Sequence, residues 1–400
     1  FMKKILLLSL LSVNVFSQTS NIFEPIDVFD LEYVSNTEIS SDGDKVLYQR
    51  NFNDIMTDES FSNIWLINYD GTNNRPITTG NFKDNSPKWS NKGDKFIFKS
   101  NREGKSQIYL FDLNNNSIQK LTNFQYSIES TQWSPNDKYI LFSSFIDSDR
   151  DTLIEMPEKP KGAKWNDPPI EISDLNYRYD SSGFRKPGEV QFFTIPINGG
   201  TPRQISNIKP EKRAGQAEWL GNDKIIFSAN LNDDSDYNTN NSEIYILSLE
   251  SGKHEALTSR DGPDSSPKVS NDNSMIAYLG YDDEYLGYQQ NSIYVMKPDG
   301  SSKFKIQLNL DRNISNIYWS SDDKRIYFQF DDKGITKIGS TTLEGKFQTE
   351  VDQIGGLSFS RPYSGGFFSL SKNNRYSFTY GTSYNPADLA VGYKQSKKRL

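Results

Sequence analysis

The sequence predicts an all-β fold, a seven-bladed β-propeller of four-stranded antiparallel blades. Three observations predict it. First, one pattern recurs: an aromatic or aliphatic residue, Ser, a short polar turn, then alternating apolar residues. Its copies start at positions 39, 89, 133, 219, 269, 319 and 368. Second, each copy is followed by a third apolar run, another turn and a short fourth run. Third, helical periodicity is nearly absent. Four short antiparallel strands in each period of roughly 40–50 residues are the signature of a propeller blade.

The clearest copies open on Trp89-Ser90, Trp133-Ser134 and Trp319-Ser320, and weaker ones on Ile39-Ser40, Trp219, Val269-Ser270 and Phe368-Ser369. Within a copy, two strands flank a tight turn such as Ser41-Asp42-Gly43-Asp44 or Asn91-Lys92-Gly93-Asp94. Gly suits such turns because it takes positive φ without a steric penalty. Third strands read as Ile64-Trp65-Leu66-Ile67, Ile108-Tyr109-Leu110-Phe111, Ile244-Tyr245-Ile246-Leu247 and Ile293-Tyr294-Val295-Met296. Fourth strands end in an apolar-hydroxyl pair: Ile77-Thr78, Leu121-Thr122, Ile205-Ser206 and Leu257-Thr258. The step from 133 to 219 is longer than the others, yet it holds one third strand, near 191–195, and one fourth strand. It therefore reads as one blade with an insertion at 146–189, and the propeller as 36–400. The recurrent aromatics are expected to fill the space between blades, since each buries a large area.

Composition narrows the function. The chain has 400 residues, with 45 basic against 52 acidic side chains and a net charge of −7. Phosphate binding needs a basic face, so nucleic acid is not an expected partner. With 6 Trp, 22 Tyr and 25 Phe, the chain is far richer in aromatics than disordered sequences are. It has no Cys, which excludes disulfides, thiolate zinc sites, a Cys nucleophile and a lipoprotein anchor. Lys3-Lys4, the mostly apolar stretch 5–15 and Val15-Phe16-Ser17 read as a secretory signal peptide, 1–17. The apolar run is too short to span a bilayer core of roughly 30 Å. No other stretch could cross a membrane. An exported protein, periplasmic or extracellular, is expected.

Chemical motifs are sparse. No Gly-x-Ser-x-Gly elbow occurs. The single His, His254, sits near a turn with no nucleophile or orienting acid suggested beside it. Asp147, Asp149, Asp151, Glu155 and Glu158 fall at calcium-hand spacing. Thr152 stands where the sharp turn needs Gly, and Pro157 disturbs the end, so a solvated acidic loop is the favoured reading. No metal or other cofactor is expected. The insertion, with Trp165, Tyr177, Arg178 and Tyr179 among its prolines, is either a functional excursion from a rigid scaffold or a decorative hairpin.

Several segments resemble a known family. They are 156–165 with 175–180, then 199–205, 257–267 continuing through 276–278, and 386–389. Each is similar to the propeller of secreted serine peptidases of the prolyl oligopeptidase family, in the acylaminoacyl-peptidase and dipeptidyl-peptidase-like branch. The generic Trp-Ser repeats are also shared with Tol-system propellers. The resemblance implies a propeller preceding a C-terminal α/β-hydrolase domain that supplies the Ser, Asp and His. No position here matches a catalytic residue, so no catalytic residue is expected in this chain, which reads as a fragment. The resemblance further implies that the propeller gates access for peptide substrates and docks against the hydrolase domain. It also implies that the lead-in 18–35, with Phe23, Ile26, Val28, Phe29 and Leu31, packs near that domain. Candidate substrate-binding residues are Tyr177, Arg178, Arg260, Asp261 and Asp264: an Arg can hold a carboxylate and an Asp an amine. The competing reading of these five is structural turn and inter-blade bonding. The alternative function is a free-standing Tol-system-like periplasmic propeller that binds a protein partner.

Overall fold

The computed structural model describes residues 23–148, 156–166, 169–172, 175–180, 183–209, 214–356 and 365–400. The expected signal peptide and the centre of the calcium-like loop, 149–155, lie outside them. Among the described residues are seven four-stranded antiparallel sheets and one two-stranded ribbon. Blade one comprises Glu32–Ile39, Lys45–Asp54, Glu59–Asn68 and Arg75–Pro76. Blade two comprises Asn85–Trp89, Lys95–Ser100, Gln107–Asp112 and Ser117–Lys120. Blade three comprises Ile128–Trp133, Tyr139–Asp147, Gly188–Pro196 and Arg203–Gln204. Blade four comprises Ala214–Leu220, Lys224–Ala229, Glu243–Ser248 and His254–Ala256. Blade five comprises Asp264–Val269, Ile276–Gly280, Ser292–Met296 and Phe304–Lys305. Blade six comprises Ile314–Trp319, Arg325–Asp332, Ile335–Thr342 and Phe347–Ile354. Blade seven comprises Phe368–Leu370, Arg375–Thr382, Asn385–Tyr393 and Ser396–Arg399. The first strand of blade one begins at Glu32, inside the expected lead-in, which otherwise forms a short 3₁₀ helix, Pro25–Phe29.

Strand alternation puts one apolar row on each face of a blade, and each row packs against a neighbouring blade. In blade two, Tyr109 and Phe111 join Leu47, Ile64 and Leu66 of blade one. Ile108 and Leu110, from the same strand, join Ile140, Phe142 and Phe193 of blade three. A cluster of this kind sits at every interface around the ring, including the closing one, where Leu389 and Val391 of blade seven meet Val34, Val46 and Ile67 of blade one. The recurrent tryptophans are core residues, and three of the four have a polar duty, the Trp219 indole N–H being buried without a partner. The indole N–H of Trp89, Trp133 and Trp319 donates to the carbonyl of Glu38, Lys88 and Lys268 respectively, each at 2.9 Å, on the preceding blade.

The Ser of the repeat, present in every blade except blade four, caps the first turn of its blade. Its hydroxyl accepts the N–H that opens the second strand: Ser40 from Lys45, Ser90 from Lys95, Ser270 from Met275 and Ser320 from Arg325. In blade seven this Ser is Ser371, bonded to Arg375, and not Ser369 of the expected Phe368-Ser369 copy. Two apolar-Ser pairs follow one another there, and the capping bond selects the second. In blades one to four the hydroxyl after the fourth strand has a matching role. Thr78, Thr122, Ser206 and Thr258 accept the backbone N–H of Ile64, Ile108, Phe192 and Ile244 where the third strand begins to lose its neighbour.

Candidate functional site

The first strands of adjacent blades touch one another, so they line the axis of the ring. Because neighbouring strands are antiparallel, the links from second to third strand and from each blade to the next emerge at one end of the ring. The turns joining first to second and third to fourth strands emerge at the other.

The two ends differ in chemistry. Among the described residues, exposed large apolar side chains gather at the end of the second-to-third links. Met56 of blade one is 87% exposed, Tyr237 of blade four 84%, Tyr288 of blade five 83% and Tyr384 of blade seven 92%. Ile55, Tyr285, Leu286 and Ile335 lie in the same links, and the lead-in adds Phe23 and Ile26 beside them. Elsewhere there are four such residues: Ile118, Tyr139, Phe304 and Tyr393. Exposed large apolar side chains thus concentrate at one end of the ring.

Blade three sends its long second-to-third link out at this end. Tyr177 and Arg178 sit there, at the two-stranded ribbon Arg178–Tyr179 with Gly183–Phe184. Both are exposed. Tyr177 stacks on Phe184 with ring centroids 6.3 Å apart. Arg185 holds the ribbon's base, donating from its guanidinium to the Asn176 carbonyl at 2.8 Å. Met156, Trp165, Ile170, Ile172 and Leu175 are also exposed along this link.

Arg260, Asp261 and Asp264 occupy the passage from blade four to blade five, at the same end. Asp264 is buried and pairs with Arg260, whose guanidinium lies 4.0 Å over the Tyr294 ring. Blade two repeats this arrangement with Asp84, Arg102 and Tyr109: the ion pair spans 2.9 Å and the cation sits 4.8 Å over the ring. The arginines arrive from opposite directions along the chain. Arg102 follows the second strand, whereas Arg260 precedes the first. Gly280 makes the second route possible, because a Cβ there would stand within van der Waals contact of the Arg260 guanidinium and Asp264. Thus Arg260 and Asp264 bind each other. Asp261 is exposed beside them, its carbonyl accepting the Asp283 N–H at 3.0 Å. The structure does not bring Tyr177 and Arg178 into contact with this trio.

The axis is polar and largely paired, although Gln132 Oε1 and Thr37 Oγ1 are buried there without a hydrogen-bond partner. Lys88 reaches Glu38 at 2.8 Å, Gln132 donates to Glu218 at 2.5 Å, and Lys268 pairs with Glu218 while facing the Tyr318 ring. Burial works against the Lys88 ammonium, but Glu38 holds it well above its ordinary value. His254 is half-buried, edge-on to Phe227 and Tyr245. Among the described residues no group of three or more His, Asp or Glu could hold a metal ion. No described helix is long and apolar enough to cross a membrane.

Comparison with known proteins agrees with this architecture. Residues 40–159 match the PD40 family, the TolB beta propeller domain. Dipeptidyl-peptidase 5 of Porphyromonas gingivalis is 25% identical over 333 residues, covering 78% of this chain and 47% of its own length. The acylaminoacyl peptidase of Pyrococcus horikoshii superposes with a TM-score of 0.69 at 17% identity, covering 93% of this chain and 53% of that one. The fold is that of the propellers in these peptidases. The chain spans about half the length of both. The β-propeller domain of the Trilobed protease of Pyrococcus furiosus, described as having an open velcro topology, gives a TM-score of 0.60 at 16% identity over 92% of this chain and 97% of that one. Among the described residues of this chain, no sheet takes strands from both the first and the last blade.

Sequence reading missed two features of this end. The apolar tips Ile55-Met56, Tyr237, Tyr285-Leu286 and Tyr384 were not singled out; their signal is a large apolar side chain inside an otherwise polar link. The pairing of Lys305 with Tyr294 has no sequence signal, since only the strand register sets them side by side.

Proposed function

We propose that this chain is the substrate-gating propeller of an exported serine peptidase acting on peptides. In this reading it is not catalytic by itself and covers the active site of an α/β-hydrolase domain. The observation that carries the reading is the apolar end formed by the second-to-third links, which is the kind of surface a second domain covers. The similarity to Dipeptidyl-peptidase 5 over most of this chain supports a peptidase as the parent protein. Burying apolar surface contributes roughly 25 cal/mol per Å² toward holding two domains together. Tyr177, Arg178 and Asp261 are exposed at that end and are the candidates for meeting a peptide. Arg260 and Asp264 contribute indirectly, by bonding to each other beside Asp261.

The match to the TolB beta propeller domain favours a second reading, a propeller that binds a separate protein through the same end. Reading the DNA downstream of Leu400 separates the two. The peptidase reading expects an in-frame hydrolase domain with a Gly-x-Ser-x-Gly elbow. The longer protein should be labelled by a fluorophosphonate and release dye from dipeptidyl-coumarin substrates. A stop codon directly after Leu400 would overturn it in favour of the binding propeller.

A further inference from the structure

Blades two and five share more than the Arg–Asp pair. The Phe98 and Tyr109 rings stack at 5.6 Å, and the Tyr278 and Tyr294 rings, at the same register, stack at 5.5 Å. The fourth strand adds a lysine opposite the tyrosine in both blades: Lys120 pairs in register with Tyr109, and Lys305 with Tyr294. In blade two a carboxylate from the chain itself occupies the space between them. Glu103 accepts from the Tyr109 hydroxyl at 3.1 Å and from the Lys120 ammonium at 2.5 Å. Those bonds hold the Glu103 carboxyl below its ordinary range.

Blade five has the donors without that acceptor. Among the described residues no carboxylate is hydrogen-bonded to Lys305 or to Tyr294. A cavity of about 330 Å³ stands there instead, with Tyr278, Tyr294, Phe304, Lys305 and the Arg260–Asp264 pair in its wall, and the one carboxylate among these, Asp264, is already matched by Arg260. The Arg260 Nε is buried and has no hydrogen-bond partner. The Asp282 carboxylate lies 3.6 Å from it, beyond hydrogen-bond reach, and faces solvent.

We propose that this cavity binds a carboxylate ligand, held by Lys305 and Tyr294 as Glu103 is held in blade two. The stacked Tyr278 and Tyr294 rings with Phe304 form an apolar wall beside the anion. The ligand class is therefore a carboxylate next to an apolar group, such as the C-terminal residue of a peptide. The inference rests on the repeat within this chain and not on the peptidase reading.

A matched pair of probes tests it: N-acetyl-L-phenylalanine and its amide, titrated against the chain by ligand-observed NMR. The acid should bind, and the amide should bind at least about tenfold more weakly, since it cannot form the charge-assisted bond. Lys305→Met, on an exposed outer strand, should reduce acid binding to the level of the amide while leaving the circular dichroism melt unchanged. Absence of acid binding, equal binding of acid and amide, or full binding by K305M would each overturn the proposal.

Discussion

At the residue scale, Glu243 is the most informative position. Blades two and three carry Gln107 and Gln191 there. Each accepts from the hydroxyl that follows the fourth strand, Thr122 at 2.9 Å and Ser206 at 2.6 Å, and from a backbone N–H beyond it. In blade four the partner of Thr258 is instead a carboxyl group, at 2.5 Å, and burial pushes Glu243 up to about 7. The ordinary value for the unfolded chain is 4.5. Between these two pH values the folded state binds more protons than the unfolded state, so stability falls as pH rises through the window. Glu243→Gln removes that penalty. It should be more stable than the parent by on the order of 2 kcal/mol at pH 8 and no different at pH 4.5. Urea melts at the two pH values check this; an equal difference at both would contradict it. The same position shows why site chemistry was harder to read than fold. A Glu among Gln residues is visible only after the blades are aligned strand by strand. Arg260 and Asp264 are candidate substrate-binding residues in the sequence, yet in the structure they bind each other.

At the element scale, the turns between first and second strands are tied blade to blade. Asp323 of blade six accepts from the Asn271 backbone and side-chain amides, at 2.9 and 2.7 Å, and from the Asp272 N–H at 3.0 Å. Asp137 of blade three does the same for Asn91 and Lys92 of blade two. Asp323 has a left-handed φ of 54°, and Gly43 and Gly93 fill that place in blades one and two. Asp323→Gly therefore removes the inter-blade bonds without adding backbone strain. It should cost about 1–3 kcal/mol in thermal or urea melts, the value of a few charge-assisted hydrogen bonds at a half-exposed site. A loss below about 0.5 kcal/mol would show that the turns do not bind the blades together. These turns were legible because Asp-Gly, Asn-Lys-Gly and Asp-Asp recur after a Trp-Ser or similar pair. Blade seven was misplaced by two residues because Phe368-Ser369 and Leu370-Ser371 both fit the pattern. Only the bond from the Arg375 N–H to Ser371 decides between them. The start of blade one was hidden for a different reason: Glu32 to Ser35 carry too little apolar alternation to announce a strand.

At the scale of the whole molecule, the ring closes by packing and hydrogen bonds alone. Ile39 donates to the Ser369 hydroxyl at 2.7 Å, Asn373 to the Asp42 carbonyl at 2.6 Å, and Arg375 pairs with Asp44 at 3.0 Å. Gly43 leaves room at this seam, since a Cβ there would meet the Asn373 side chain at 2.5 Å. The sequence announces the ring through its period, and the period says nothing about which end is apolar. That asymmetry arises from single side chains at link tips, which carry no repeat. The proposed role requires a hydrolase domain to cover this end. Hydrogen exchange in the chain alone, compared with the same chain joined to the proposed hydrolase domain, is the decisive measurement. Slowed exchange in the links at 54–59, 230–242, 281–291 and 382–385, with the opposite turns unchanged, is the predicted result. Protection confined to the turns between first and second strands, or no protection at either end, would contradict it.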